Sequence, residues 1–244
     1  MTVRSVARAL AILECFQADS PSLALHQISS RLGLAKSTTY RLVSTLMEAG
    51  YLIQKENNEY CLSLQLLRLA GVVTNSLDIA NIARVELLNV AAQCAETVEI
   101  SMLTGGQRVC IDVVESPSRL KSIIQIGEVF SLYYGATGLA FLAFMPAEMQ
   151  AKLLNAAPAG IRERSGQFLA QLEEIKARGY AHTVGQRVEG AAAISAPIFD
   201  MRREVSYCMT ITGPATRMQG REQEFISLVR TACGRISSKL GATR

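Results

Sequence analysis

Histidine and tryptophan are what this chain largely does without: its 244 residues hold two histidines, His26 and His182, and no tryptophan. Two isolated imidazoles cannot build a histidine-rich metal site. The six cysteines, Cys15, Cys61, Cys94, Cys110, Cys208 and Cys233, stand singly, without a CxxC pair or a neighbouring histidine. That excludes a thiolate zinc site and a thioredoxin-like motif and leaves them as small buried hydrophobes, so neither metal nor cofactor is expected. Long apolar runs are missing too. The densest, 139–145, is seven residues, against roughly 20 for a spanning helix. The apolar stretch after Arg8 is cut by Glu14, unlike the core of an export signal, and the expected location is the cytoplasm. Proline is scarce at 6 residues while 49% of the chain is hydrophobic and 19% charged, the composition of one or two packed domains.

The net charge, +4, is too small to name a polyanion as partner. Its distribution is more informative: from Ser20 to Met47 stand Arg31, Lys36 and Arg41 with no acid among them. Apolar residues at three- and four-residue spacings predict a helix over 3–16, with Val6, Ala9, Leu10, Leu13 and Phe16 as its apolar stripe. A second helix fits 25–32 and stops at Gly33. A third fits 36–49, with Thr39, Leu42, Val43 and Leu46 inward and Thr38, Arg41, Thr45 and Glu48 on the opposite side. Residues 51–54 and 60–62 flank the polar turn 55–59 as a small wing. Helix, glycine turn and a second helix opening on small polar and basic residues is the helix-turn-helix arrangement, in which the start of the second helix meets base edges in the major groove. Lys36, Ser37, Thr38, Tyr40, Arg41 and Thr45 are the expected DNA contacts, with Lys55 on the wing against phosphate.

Beyond residue 62 the pattern predicts a helical segment over 62–71, a linker near 71–77 and a long helix over 77–94. Strands are expected around 98–102, 109–114 and 120–126. Helices at 135–144, 147–155 and 167–178 follow, then strands at 191–198 and 205–211 and a closing helix at 221–240. Strands, then helices, then strands again describe an α+β domain with a mainly antiparallel sheet.

The strings SVARALAILECF and LALHQISSRLGLAKSTTYRLVSTLMEAGYL resemble the winged helix-turn-helix of the isocitrate-lyase-regulator (IclR) family of bacterial transcription regulators. The resemblance continues through ETVEISMLTGGQRVCIDVVES, GATGLAFLA, GYAHTVGQRVEGAAAISAPIFD and MTITGPATRM, so it covers nearly the whole chain. It implies a DNA-binding domain over 1–62, a linker helix region over 63–77 and a GAF-like effector-binding domain over 78–244. By the same resemblance Gly135, Ala136 and Thr137 lie under a small organic effector, Thr183, Ala193, Thr210 and Thr212 face it, and Ser122, Ile124 and Phe130 form its wall. The implied function is a ligand-responsive regulator, a repressor of a pseudo-palindromic double-stranded operator, acting as a homodimer or dimer of dimers. The sequence departs from family habit at Leu132-Tyr133-Tyr134, at Gly138-Leu139-Ala140 and at Gln186, where polar, basic or acidic groups are usual. These departures favour a less highly charged effector, a carboxylate or aromatic acid. The competing expectation, an enzyme with a helical cap, finds no GxSxG, Walker or GxGxxG string and no local acid partner for His182. A regulator without catalysis is therefore expected.

Overall fold

The computed structural model describes residues 3–17, 19–76 and 78–242. The start of the expected long helix at Leu77, the matching end of the linker, and the first two and last two residues of the expected domains lie outside the described residues. The chain separates into two compact units, 1–77 and 78–244.

The first unit begins with α1 (Arg4–Glu14), β1 (Ser22–Leu23), α2 (Leu25–Leu32) and α3 (Lys36–Glu48). It continues with β2 (Leu52–Gln54), β3 (Tyr60–Leu62) and α4 (Gln65–Ser76). The wing is antiparallel in the order β1-β3-β2, because the two-residue β1 pairs Ser22 with Cys61 and Leu23 with Tyr60. Ile12, Phe16, Leu23, Ile28, Val43, Leu46, Leu52 and Tyr60 make one small core. The stripe expected on the first helix is wider than the surface α2 and α3 offer it. Val6 and Leu10 are each 55% exposed, and burial falls on Ile12, outside that stripe, and on Phe16, within it. Leu42, expected inward, is only partly buried. The helical segment expected over 62–71 runs further: α4 continues through Gly71 to Ser76 as continuous helix, and a single glycine costs a helix only about 1 kcal/mol.

The second unit contains α5 (Asp78–Cys94), β4 (Thr97–Thr104), β5 (Gln107–Val114) and β6 (Val129–Phe130). Four helices follow: α6 (Gly135–Phe144), α7 (Ala147–Asn155), α8 (Ala159–Arg162) and α9 (Ser165–Arg178). The chain closes with β7 (Ala181–Val184), β8 (Ala191–Phe199), β9 (Val205–Pro214), α10 (Ala215–Met218) and α11 (Glu222–Lys239). The sheet order is β6-β5-β4-β9-β8-β7 and its pairings are antiparallel, an α+β architecture.

Cross-strand partners share a face of a sheet, so register sorts the two sides. Glu99, Thr210 and Ser195 form one transverse row, and Val98, Ile211 and Ile194 form the next row on the opposite face. The apolar rows are covered by α5 and α11; Cys233 of α11 donates its thiol to the Ala196 carbonyl. Against the other face lies α6, backed by α9. The helix α6 is buried on every side from Gly135 to Ala143, which accounts for the densest apolar run of the sequence: it is a central helix with no solvent face.

The strand expected at 120–126 does not form. That segment is a loop held by Thr97, whose hydroxyl donates to the Ser122 carbonyl at 2.9 Å. Short of a ladder partner, it leaves Leu120, Ile123 and Ile126 exposed and buries Ile124. The edge strand comes later, at Val129–Phe130, where Arg108 pairs with Phe130.

Candidate functional sites

The helix-turn-helix rests on a backbone reversal at Gly33, whose φ of 62° is the left-handed conformation glycine adopts without strain. The turn is stapled from both sides. The Leu34 amide donates to the Ser29 carbonyl at 3.1 Å, and the Ser29 hydroxyl donates to the Leu34 carbonyl at 2.6 Å. This sets the start of α3, where Lys36 and Ser37 are exposed and Thr38 is half-buried. Tyr40 is 57% exposed, and Arg41 and Thr45 are exposed beyond it. The Thr45 hydroxyl donates to the Arg41 carbonyl at 2.9 Å, so toward an outside group it acts as an acceptor. Thr38, Arg41 and Thr45 also border a groove of about 440 Å3 whose far wall is Ser5, Val6 and Ala9 of α1. Ser44 shares this side of the helix, three residues on from Arg41, and is not among the predicted contacts.

Of the three cations in the acid-free stretch, one has another task. Arg31 donates to the Cys15 carbonyl at 2.6 Å and to the Ser20 hydroxyl at 3.3 Å, tying the end of α1 to α2. Lys36 and Arg41 remain on the open side. Lys55 is exposed in the wing turn. There the Ser22 hydroxyl, at 2.7 Å, and the Asn57 amide, at 3.0 Å, hold Glu59 below the usual carboxylate range.

In the second unit a cavity of about 550 Å3 lies on the α6 face of the sheet. Nine of the ten predicted effector positions line it: Ser122, Ile124, Gly135, Ala136, Thr137, Thr183, Ala193, Thr210 and Thr212. The register explains the strand members, since Thr183 pairs with Ala193 and Ala193 with Thr212 in one row. Phe130 is the exception and is not on the cavity wall. Its ring is in contact with two guanidinium groups, with Arg108 Cζ 4.1 Å and Arg187 Cζ 4.7 Å from the centroid.

Charge is the part of the cavity that residue patterns did not reveal. Glu99 and Arg108, 1% and 2% exposed, face it as a pair, Arg108 Nη1 to Glu99 Oε1 at 3.0 Å. Burial pushes the Arg108 guanidinium below its ordinary value; Glu99 opposes that push and Arg187 adds to it. The Thr137 hydroxyl stands 3.1 Å from the same Glu99 oxygen and 2.8 Å from the Thr210 hydroxyl. Thr210 donates to Ser195 at 2.8 Å, and Ser195 donates to the Met209 carbonyl at 3.2 Å. On the other side Ser122 and Thr212 join their hydroxyls at 3.2 Å. Arg187, Gln186 and Lys121 line the cavity as well, Lys121 paired with Glu115.

A signal for the buried pair existed in sequence. Glu99 and Ser101 alternate with apolar residues on one strand, and Arg108 stands early in the next, so three polar groups fall on one face of a hairpin. The departures at Leu132-Tyr133-Tyr134 and at Leu139 are not on the cavity wall, though Tyr134 directly precedes Gly135, which is. The Tyr133 hydroxyl donates to the Leu153 carbonyl at 2.7 Å, and Leu132 and Leu139 are in the apolar core.

Comparison with known proteins agrees in both units. Residues 5–56 match the IclR helix-turn-helix domain, and residues 71–238 match the bacterial transcriptional regulator IclR C-terminal domain. The chain is 28% identical to the HTH-type transcriptional regulator KipR of Bacillus subtilis over 247 residues, covering 98% of each. It is 26% identical to the transcriptional repressor IclR of Escherichia coli over 258 residues, covering 99% of this chain and 92% of that one. An IclR homolog from Microbacterium hydrocarbonoxydans, solved as a complex with 4-hydroxybenzoate, superposes with a TM-score of 0.85 at 20% identity, covering 98% of this chain and 100% of that one. Among the described residues no helix is long and apolar enough to cross a membrane. The chain belongs to the IclR family of bacterial transcriptional regulators, with a helix-turn-helix DNA-binding domain ahead of its α+β C-terminal domain.

Proposed function

We propose that this regulator is a cytoplasmic repressor whose operator binding is modulated by a small organic acid held in the cavity of the second unit. The observation that carries the reading is a 550 Å3 recess with apolar walls and a few directed polar groups, the size and composition of a small-ligand site. It sits in a unit separate from the helix-turn-helix. Domain limits of 1–62, 63–77 and 78–244 go with this division of labour. Arg187 supplies the positive charge that a carboxylate needs, Arg108 being paired with Glu99. A relative described as a transcriptional repressor and a structural neighbour solved with an aromatic hydroxy acid support the choice of class.

On the DNA side, Lys36, Ser37, Thr38, Tyr40, Arg41 and Thr45 face the major groove and Lys55 a flanking phosphate. One helix-turn-helix covers half a site, so the active species is a homodimer or a dimer of dimers on a pseudo-palindrome. A ligand alters operator affinity by binding the DNA-competent and incompetent forms unequally. The test is gel-shift titration of duplexes from the regulator's own promoter region at several salt concentrations. Arg41→Ala should weaken specific binding about 5- to 100-fold, the worth of a bidentate arginine–guanine contact. Binding that is independent of salt and unchanged by R41A would refute this DNA interface.

A further inference from the structure

The wall holding Glu99 is short of hydrogen atoms. Four close contacts run from Glu99 Oε1 through Thr137, Thr210 and Ser195 to the Met209 carbonyl. The three hydroxyl groups bring one proton each. With Glu99 as the carboxylate partner of Arg108, one contact in the row has no hydrogen to share. Glu99 Oε2 is buried and has no partner among the described residues. A buried carboxylate oxygen left unpaired is costly, so Glu99 calls for a donor; Arg108 Nε beside it is likewise buried and without a partner among the described residues.

The opposite requirement holds a few ångströms away. Arg187 has no carboxylate within ion-pair distance among the described residues, and its guanidinium shares the Phe130 ring with that of Arg108. The two guanidinium carbons are therefore within about 9 Å of one another. Arg187 also stands beside the start of α6, its Cβ 3.8 Å from where a side chain on Gly135 would begin. A cation and the first amides of a buried ten-residue helix together favour an anion.

We propose that Glu99 makes this regulator selective for a hydroxy acid, an effector whose hydroxyl donates to Glu99 while its carboxylate rests against Arg187 and the start of α6. A neutral hydroxyl suits the place better than an ammonium group, because Glu99 is already paired with the Arg108 guanidinium and an ammonium would set a second cation against it. The inference rests on the cavity being the effector site.

Titration calorimetry of the full-length chain with two matched pairs, 4-hydroxybenzoate and benzoate, and lactate and propionate, tests it. A hydrogen bond to a charged acceptor predicts that the better-fitting hydroxy acid binds at least about tenfold tighter than its partner. 4-Methoxybenzoate, which accepts but cannot donate, should gain nothing over benzoate. Glu99→Gln should bring the ratio within about threefold, whatever it does to benzoate itself, since the donor then meets a neutral amide. Arg187→Gln should weaken both members of the pair alike and keep the ratio. Thermal melting of E99Q, and binding of propionate or benzoate to it, establish that the variant is folded. Acids that bind without preference for the hydroxyl, or a preference that survives in E99Q, overturn the hydroxy-acid inference and leave the effector site standing. If no acid of either pair binds the wild-type chain, the effector reading fails and this inference fails with it.

Discussion

Replacing Gly138 by alanine sets two effects of opposite sign against each other. Gly138 is inside α6, and alanine in a helix interior is ordinarily worth about 0.5–1 kcal/mol over glycine. At this position, however, a Cβ would fall 2.7 Å from the Leu132 carbonyl carbon and 2.9 Å from its Cα, with the Leu132 oxygen nearer still. Those are backbone atoms, so no side chain can rotate away. Restoring ordinary contact requires α6 and the 131–134 segment to part by about 1 Å, in a core where overpacking costs about 1–3 kcal/mol or more. The clash wins. Net destabilisation of about 1–2 kcal/mol should lower the melting temperature of the second unit by about 2–8 °C, given about 2–4 °C per kcal/mol for a unit of this size. Because Ala136 and Thr137 move with the helix, effector affinity should fall as well. Gly234 in α11 provides the control: it is exposed and helical, and a Cβ there meets nothing within 4 Å. Gly234→Ala should gain about 0.5–1 kcal/mol. Calorimetric melting of both variants decides the matter. A Gly138→Ala protein melting at or above the wild type, alongside a stabilised Gly234→Ala, would show that the close approach of α6 to Leu132 is not real.

Ile28→Ala, at a fully buried site of the N-terminal core, should cost about 2–5 kcal/mol and abolish operator binding through unfolding. Leu42→Ala, at a half-buried site, should cost less and leave the helix-turn-helix folded; circular dichroism with gel shift separates the two. Thiol labelling near pH 8 should modify Cys61 alone at an appreciable rate, since the other five cysteines are buried and burial raises their thiols, Cys110 and Cys233 to about 12. Fast modification of a second residue in mass spectra would contradict that. Burial lowers the His182 value, with Glu222 opposing, so the folded state takes up its proton less readily than the unfolded chain. Stability should therefore fall as pH drops below about 6.5, the ordinary histidine value, and His182→Gln should flatten that slope in denaturant titrations. A slope unchanged in the variant would assign the acid sensitivity elsewhere.

Elements bounded by punctuation were legible from residues alone. The expected limits 135–144 and 147–155 coincide with α6 and α7, because Gly135 at φ 78° and Pro146 mark where each helix can begin. The short strands β1, β6 and β7 were not legible, since two to four residues carry no period and owe their conformation to partners far along the chain. Residues 120–126 show the converse: isoleucine and leucine at strand-like density with no neighbour to complete a ladder. Family resemblance brought together the threonines of the cavity, whereas Glu99, Arg108 and Arg187 escaped it. A charge in an apolar strand looks like an edge position until the register shows which neighbours it meets. Arg31 illustrates the same limit in the first unit, where basic composition suggested an open cation and tertiary contacts use it to tie a loop.

The cavity draws its wall from β4, β5, α6, β7, β8, β9, the loop ahead of β6 and the loop between β7 and β8, positions 99 to 214 in the chain. No single element of the second unit contains it, and an unfolded chain presents no trace of it. Whatever fills it therefore holds the whole unit together: at a hundred times its dissociation constant a ligand adds about 2.7 kcal/mol to stability, about 5–11 °C in melting temperature for a unit of this size. Melting curves recorded against a library of metabolites would thus identify the physiological signal of this regulator before its operator, its promoter or the direction of its control is known.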